Sequence, residues 1–145
     1  MIEYLNKIMA KVLNITEAVT IALHSMIIIA NKPDEQMNVK VISTLIDSSK
    51  FHVAKILQKL VKDGYLGSHR GPSGGFYLKA NPNELTLLEI YEAIEGKIII
   101  AECPIDHDHC PFGTCVFDDL TVQMTKQFVD FLKSRTLADY QKQKH

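Results

Sequence analysis

The residues with the widest chemical reach in this chain are three cysteines set close together. Cys103, Cys110 and Cys115 are separated by six and four residues, and three thiolates in one loop can hold a soft metal centre once another ligand joins them. Structural zinc favours ligand pairs about two to four residues apart, and the first gap is too wide for that pattern. Pro104 and Pro111 follow two of the cysteines, a pairing found at iron–sulfur ligands and also in ordinary loops. His107 and His109 lie between the cysteines, and imidazole can complete such a centre. Because His109 adjoins Cys110, ligation by both is strained, which favours His107. Thiols that sense oxidants without metal, or that have no role at all, stay open as alternatives. An odd cysteine count in a chain with no evident export signal argues against a disulfide framework.

A second constellation is basic and rich in glycine. Tyr65 to Arg70 and Phe76 to Lys79 read as short strands around Gly71-Pro72-Ser73-Gly74-Gly75, a hairpin whose tip carries Arg70. Glycines there let backbone approach a phosphate or groove, and an arginine can enter a narrow minor groove. An ordinary surface turn would explain the glycines but leave Arg70 idle.

Helices must position both groups. Residues Asn14 to Asn31 predict a deeply buried helix, with Asn14 and Glu17 spaced as a capping box and Pro33 beyond its end. A short helix from about Asn38 to Ile46 follows, and Asp47-Ser48-Ser49 breaks and recaps the chain. In the next helix Val53, Ile56, Leu57, Leu60 and Val61 fall on one face, leaving His52, Lys55, Lys59 and Lys62 on the other. Asp63-Gly64 ends it. Helix, turn, helix and basic hairpin in succession predict a winged helix-turn-helix that binds double-stranded DNA. Thr86 and Glu89 then open a further helix that stops at Gly96. Beyond the cysteine loop, Phe117, Leu120, Met124, Phe128 and Phe131 recur at helical spacing through about Lys133. That stripe could close the monomer's core or pair with its copy in a homodimer; periodicity serves both.

The expected architecture is therefore mainly α with a small β-hairpin wing. Residues 12–81 form the winged DNA-binding domain, and residues 82–145 supply a helix, the cysteine loop and a long dimerisation helix. Net charge over the 145 residues is −1, which alone argues against a nucleic-acid partner. The average hides a division: residues 12–81 carry +3 and residues 82–145 carry −5. With 46% hydrophobic and 23% charged residues the composition is globular. The longest apolar stretch, Ala18 to Ala30, is too short for a membrane crossing of about 20 residues, so a cytoplasmic protein is expected.

The run ISTLIDSSKFHVAKILQKLVKDGYLGSHRGPSGGFYL, then LTLLEIYEAIEG, the three-cysteine loop and RTLADY together resemble the Rrf-type winged helix-turn-helix transcriptional regulators, the family of IscR, NsrR and CymR. The likeness runs from about Ile15 to Tyr140, and Arg70 to Phe76 is similar to the family's RGPGGGY wing with Ser73 replacing a glycine. The resemblance implies a non-enzymatic homodimer that binds operator DNA through the third helix and the wing. It implies Ser49, Lys50, Phe51, His52 and Lys55 as candidates for phosphate and base contacts, together with His69, Arg70, Gly71, Pro72, Ser73, Gly74 and Gly75. Partial packing beneath the wing is the expectation for Phe51, and simple exposure for His52. Some family members carry an iron–sulfur cluster, which implies such a cluster, two-iron or four-iron, on Cys103, Cys110 and Cys115, with the loop's own His107 as a candidate fourth ligand beside the resemblance. Asp118 stands where some members have a histidine, and Thr20 where others use an acid from the partner's first helix; Glu17 of the other chain is one turn away. The expected function is a repressor whose operator binding is controlled by the cluster, responding to redox state or nitric oxide. A metal-independent regulator sensing oxidants through thiols, and a redox or metal-handling protein that does not bind DNA, are the alternatives.

Overall fold

The computed structural model describes residues 15–101, 103 and 110–142. Helix α1 (Glu17–Ala30) is capped by Thr16, whose hydroxyl accepts from the Val19 N–H at 3.2 Å. The helix thus starts later than the expected Asn14 cap, which lies outside the described residues. Ala22, Met26 and Ile29 are fully buried, as expected of a helix apolar on most sides.

Asn38 caps α2 (Val39–Ile46), accepting from the Lys40 N–H at 2.7 Å. Asp47 then adopts left-handed backbone (φ 53°), and the Ser48 N–H closes on the Ser43 carbonyl at 3.0 Å. This reversal ends α2 and frees Ser49 to cap α3 (Lys50–Lys62), accepting from the His52 N–H at 3.1 Å. Val53, Ile56, Leu57 and Leu60 turn inward and are buried. The sharp turn between two capped helices is the predicted helix-turn-helix.

Strands β1 (Leu66–His69) and β2 (Gly75–Leu78) pair antiparallel, from Leu66 opposite Leu78 to His69 opposite Gly75. Phe76 also exchanges both backbone hydrogen bonds with Met37, at 2.8 and 2.9 Å. The hairpin is therefore fastened to the segment that leads into α2.

Helix α4 (Leu87–Glu95) begins with the predicted Thr86–Glu89 capping box and packs on α1. Helix α5 (Leu120–Ser134) starts three residues beyond Phe117, because Asp118 is left-handed (φ 49°) and its N–H bonds the Cys115 carbonyl at 3.0 Å. A 3-10 turn, Leu137–Tyr140, follows and was not foreseen. Just beyond it, the Gln141 side-chain amide donates to the Ala30 carbonyl and the Lys142 N–H to the Asn31 side chain, both at 2.7 Å. Gln141 and Lys142 are thereby clasped to the end of α1. One apolar core joins Leu57 and Leu60 of α3 to Ile90, Leu132 and Leu137. No helix among the described residues is long and apolar enough to cross a membrane.

Candidate nucleic-acid interface and cysteine loop

Burying Val53, Ile56, Leu57 and Leu60 leaves the opposite face of α3 to solvent. Phe51, Lys55 and Gln58, at i, i+4 and i+7, form an outward ridge, with Lys50 exposed beside it. Phe51 is 85% exposed, which overturns the expectation that it packs beneath the wing. Its position places it one turn before Lys55 and away from the core stripe. His52 departs from expectation in the other direction. It is half-buried, and its Nδ1 stands 3.7 Å from the Glu17 carboxylate. The Ser49 hydroxyl is engaged in capping α3. Further along, Lys59 pairs with Asp63 at 3.0 Å, whereas no such ion pair is seen for Lys50 or Lys55 among the described residues.

Arg70, Gly71, Pro72 and Ser73 form the exposed hairpin tip, closed by a 3.0 Å bond from the Gly74 N–H to the Gly71 carbonyl. The His69 ring stacks on Tyr77, with centroids 5.1 Å apart, and stiffens the stem below Arg70. Two glycines have a nearer task than admitting a phosphate. A Cβ on Gly74 would lie 2.2 Å from the His69 carbonyl oxygen, and one on Gly75 would lie 2.7 Å from that of Met37. The hairpin's own backbone contacts therefore demand both glycines. Gln58 of α3 and His69 and Arg70 of the wing line a common cleft, so the C-terminal end of the ridge and the wing tip open to the same side.

In the cysteine loop, Cys103 and Cys115 are half-buried, Cys110 is exposed, and no disulfide joins them. Three thiols so close in sequence suit a soft iron–sulfur centre by donor chemistry. The described residues do not gather three cysteine, histidine or acidic groups at metal-holding distance; His107 and His109 lie outside them. Asp118, exposed, belongs to the turn after Cys115.

The approach to the loop is linked to the first turn of α3. The Ile98 N–H donates to the Glu92 carboxylate at 3.1 Å, and the Thr16 hydroxyl donates to the Glu95 carboxylate. Thr16 adjoins Glu17, which faces His52 on α3. Sequence reasoning missed this joint, since a polar link 79 positions apart leaves no periodic mark.

Along α5, Leu120, Met124 and Phe131 are exposed and Leu132 alone is buried. Phe128 meets Tyr91 edge-on, with centroids 5.5 Å apart, and burial, with Glu95 nearby, pushes the Tyr91 phenol above its ordinary pKa. Most of the predicted apolar stripe thus remains uncovered among the described residues.

Residues 15–143 match the family model Rrf2, described as an iron-dependent transcriptional regulator. The HTH-type transcriptional regulator BadM of Rhodopseudomonas palustris is 33% identical over 87 residues, which span 60% of this chain but only 56% of BadM. The HTH-type transcriptional regulator NsrR of Geobacillus kaustophilus is 29% identical over 108 residues, 73% of this chain and 74% of NsrR. Among solved structures, CymR, described as the global cysteine regulator of B. subtilis, superposes with a TM-score of 0.71 at 25% identity, covering 86% of this chain and 93% of CymR. The fold is shared with T. potens IscR, at a TM-score of 0.68 and 21% identity over 86% of this chain and 83% of that one.

Proposed function

The chain belongs to the Rrf2 family of transcriptional regulators, and from that premise we propose that it is a homodimeric repressor whose grip on operator DNA is set by the cysteine loop. The observation that carries the reading is the shared opening of α3 and the wing, in which Gln58, His69 and Arg70 line one cleft, with Lys50 and Lys55 exposed on the same helix. The N-terminal part of such a second helix reads base edges in the major groove, while an arginine-tipped wing suits the adjacent minor groove. Two copies joined through α5 would present two such heads to half-sites about one helical turn apart.

Cys103, Cys110 and Cys115, with His107 as a further ligand, would hold an iron–sulfur centre. When bound, that group supplies bonds to sulfur that respond to oxidants or to nitric oxide. The chain's own contribution is the joint at the start of α1. Glu92 holds the segment leading to Cys103, Glu95 holds Thr16, and Glu17 faces His52. A change in the loop that shifts the end of α4 has a route to the first turn of α3. Exposure of Cys110 favours a second reading, direct thiol oxidation without metal.

One experiment separates these readings. Protein purified without air is assayed for iron and acid-labile sulfide and titrated onto duplex promoter DNA at several salt concentrations, beside Arg70→Ala. The proposal expects both elements, steeply salt-dependent binding, and about fivefold or greater weakening in the variant with a shallower salt slope. Metal-free, sulfide-free protein that binds normally supports the thiol reading. Absence of binding to any promoter fragment overturns DNA regulation altogether.

A further inference from the structure

The least expected side chain on the reading head is Phe51. At 85% exposure it is the most exposed large hydrophobic among the described residues, and it sits in the first full turn of α3 with Lys50 beside it and Lys55 one turn on. An apolar ring amid lysines is poorly placed to receive an apolar protein surface, since docking there would strip water from those ammonium groups. The basic surroundings instead match a polyanion whose interior edges include an apolar group. In the major groove only thymine offers one, its C5-methyl, and phenylalanine is among the side chains that contact it.

Accepting DNA binding as proposed above, we infer that Phe51 is a specificity-determining residue that packs its ring on a thymine C5-methyl in each half-site. Phe51 shares its ridge with Lys55 and Gln58, so the three side chains face successive positions along the groove. Lys55 can donate to guanine O6 and N7, and Gln58 can bond adenine. Phe51 has no donor or acceptor and excludes both options at its own position. The specificity it adds is for thymine over the other bases, and within thymine for the methyl group itself. The burial that the free protein withholds from this ring is gained only on the operator.

Deoxyuridine tests this, because it keeps every hydrogen-bonding group of thymine and lacks only the methyl. Full-length protein, purified without air, first selects its preferred duplexes from a random pool. Each thymine of the selected duplex is then replaced by deoxyuridine, symmetrically in both half-sites, and binding is compared for the unaltered chain and Phe51→Ala. One thymine position is expected at which the replacement weakens the unaltered chain about three- to fivefold per half-site, the value of one buried methyl-sized group. Phe51→Ala should bind both duplexes equally and lose the thymine preference there in a fresh selection. A variant that keeps the full uracil penalty, or a parent chain indifferent to every replacement, overturns the inference while leaving DNA binding intact. No selected duplex at all overturns DNA regulation and this inference together.

Discussion

The two halves of the molecule treat their apolar residues in opposite ways. In the winged half α1 and α3 hide their stripes: Met26 and Ile29 of α1 and Val53, Leu57 and Leu60 of α3 are completely buried, whereas the short α2 buries Ile42 and leaves Val41 and Leu45 exposed. In α5 a stripe of the same periodicity leaves Leu120, Met124 and Phe131 in solvent, with Leu132 alone buried. Helices α1 and α3 close on each other within one chain, whereas α5 leaves most of its stripe without a described neighbour. Equal periodicity therefore does not mean equal closure, and what decides is whether a neighbouring element lies over the stripe. For α3 that neighbour is α1; for much of α5 no described residue takes that place, and a second copy is the proposed occupant.

The sharpest way to break this contrast is to cut into each half in turn. Leu57→Ala opens a cavity at a fully buried position and should destabilise the fold by about 2–5 kcal/mol, read as a lower denaturant midpoint at unchanged slope. A loss under about 1 kcal/mol would mean that the winged core is far more yielding than close packing allows. Met124→Asp addresses the other half. It should leave secondary structure intact and convert the dimer to monomer in sedimentation. Operator affinity should fall about 100-fold, as expected when two tethered heads become one. If the variant stays dimeric, the exposed stripe of α5 is not the seam.

Legibility in the sequence follows the same division. The inward face of α3, the start of α2 near Asn38, the recapping at Ser49, the Thr86–Glu89 box and the Gly96 stop could all be read, because each rests on contacts within a turn or two of chain. Phe51 was misjudged by residue type: aromatics are usually covered, yet its register with Lys55 already placed it outward. The start of α1 was misjudged because Asn14 and Thr16 are both good caps, and only the Val19 N–H singles out Thr16. The hydrogen bonds of Gln141 and Lys142 to the end of α1 span 111 positions, and polar pairs at such a distance carry no periodicity. At the cysteine loop the donor types were plain, but sequence spacing could not say how those donors sit relative to one another.

The smallest expected effect concerns the joint between the halves. Glu95 is exposed and its carboxylate takes the Thr16 hydroxyl, while the Thr16 cap on Val19 does not depend on it. Glu95→Ala should therefore change global stability by less than about 0.5 kcal/mol, as for other surface substitutions. What it should change is communication. The ratio of operator affinities before and after air oxidation of the cysteine loop, whatever its direction in the unaltered chain, should move toward one in the variant. A reading head that is independent of the loop would give the same ratio in both proteins. A joint that carries the signal gives a flattened ratio with an unmoved melting transition, and that pairing distinguishes lost coupling from lost folding.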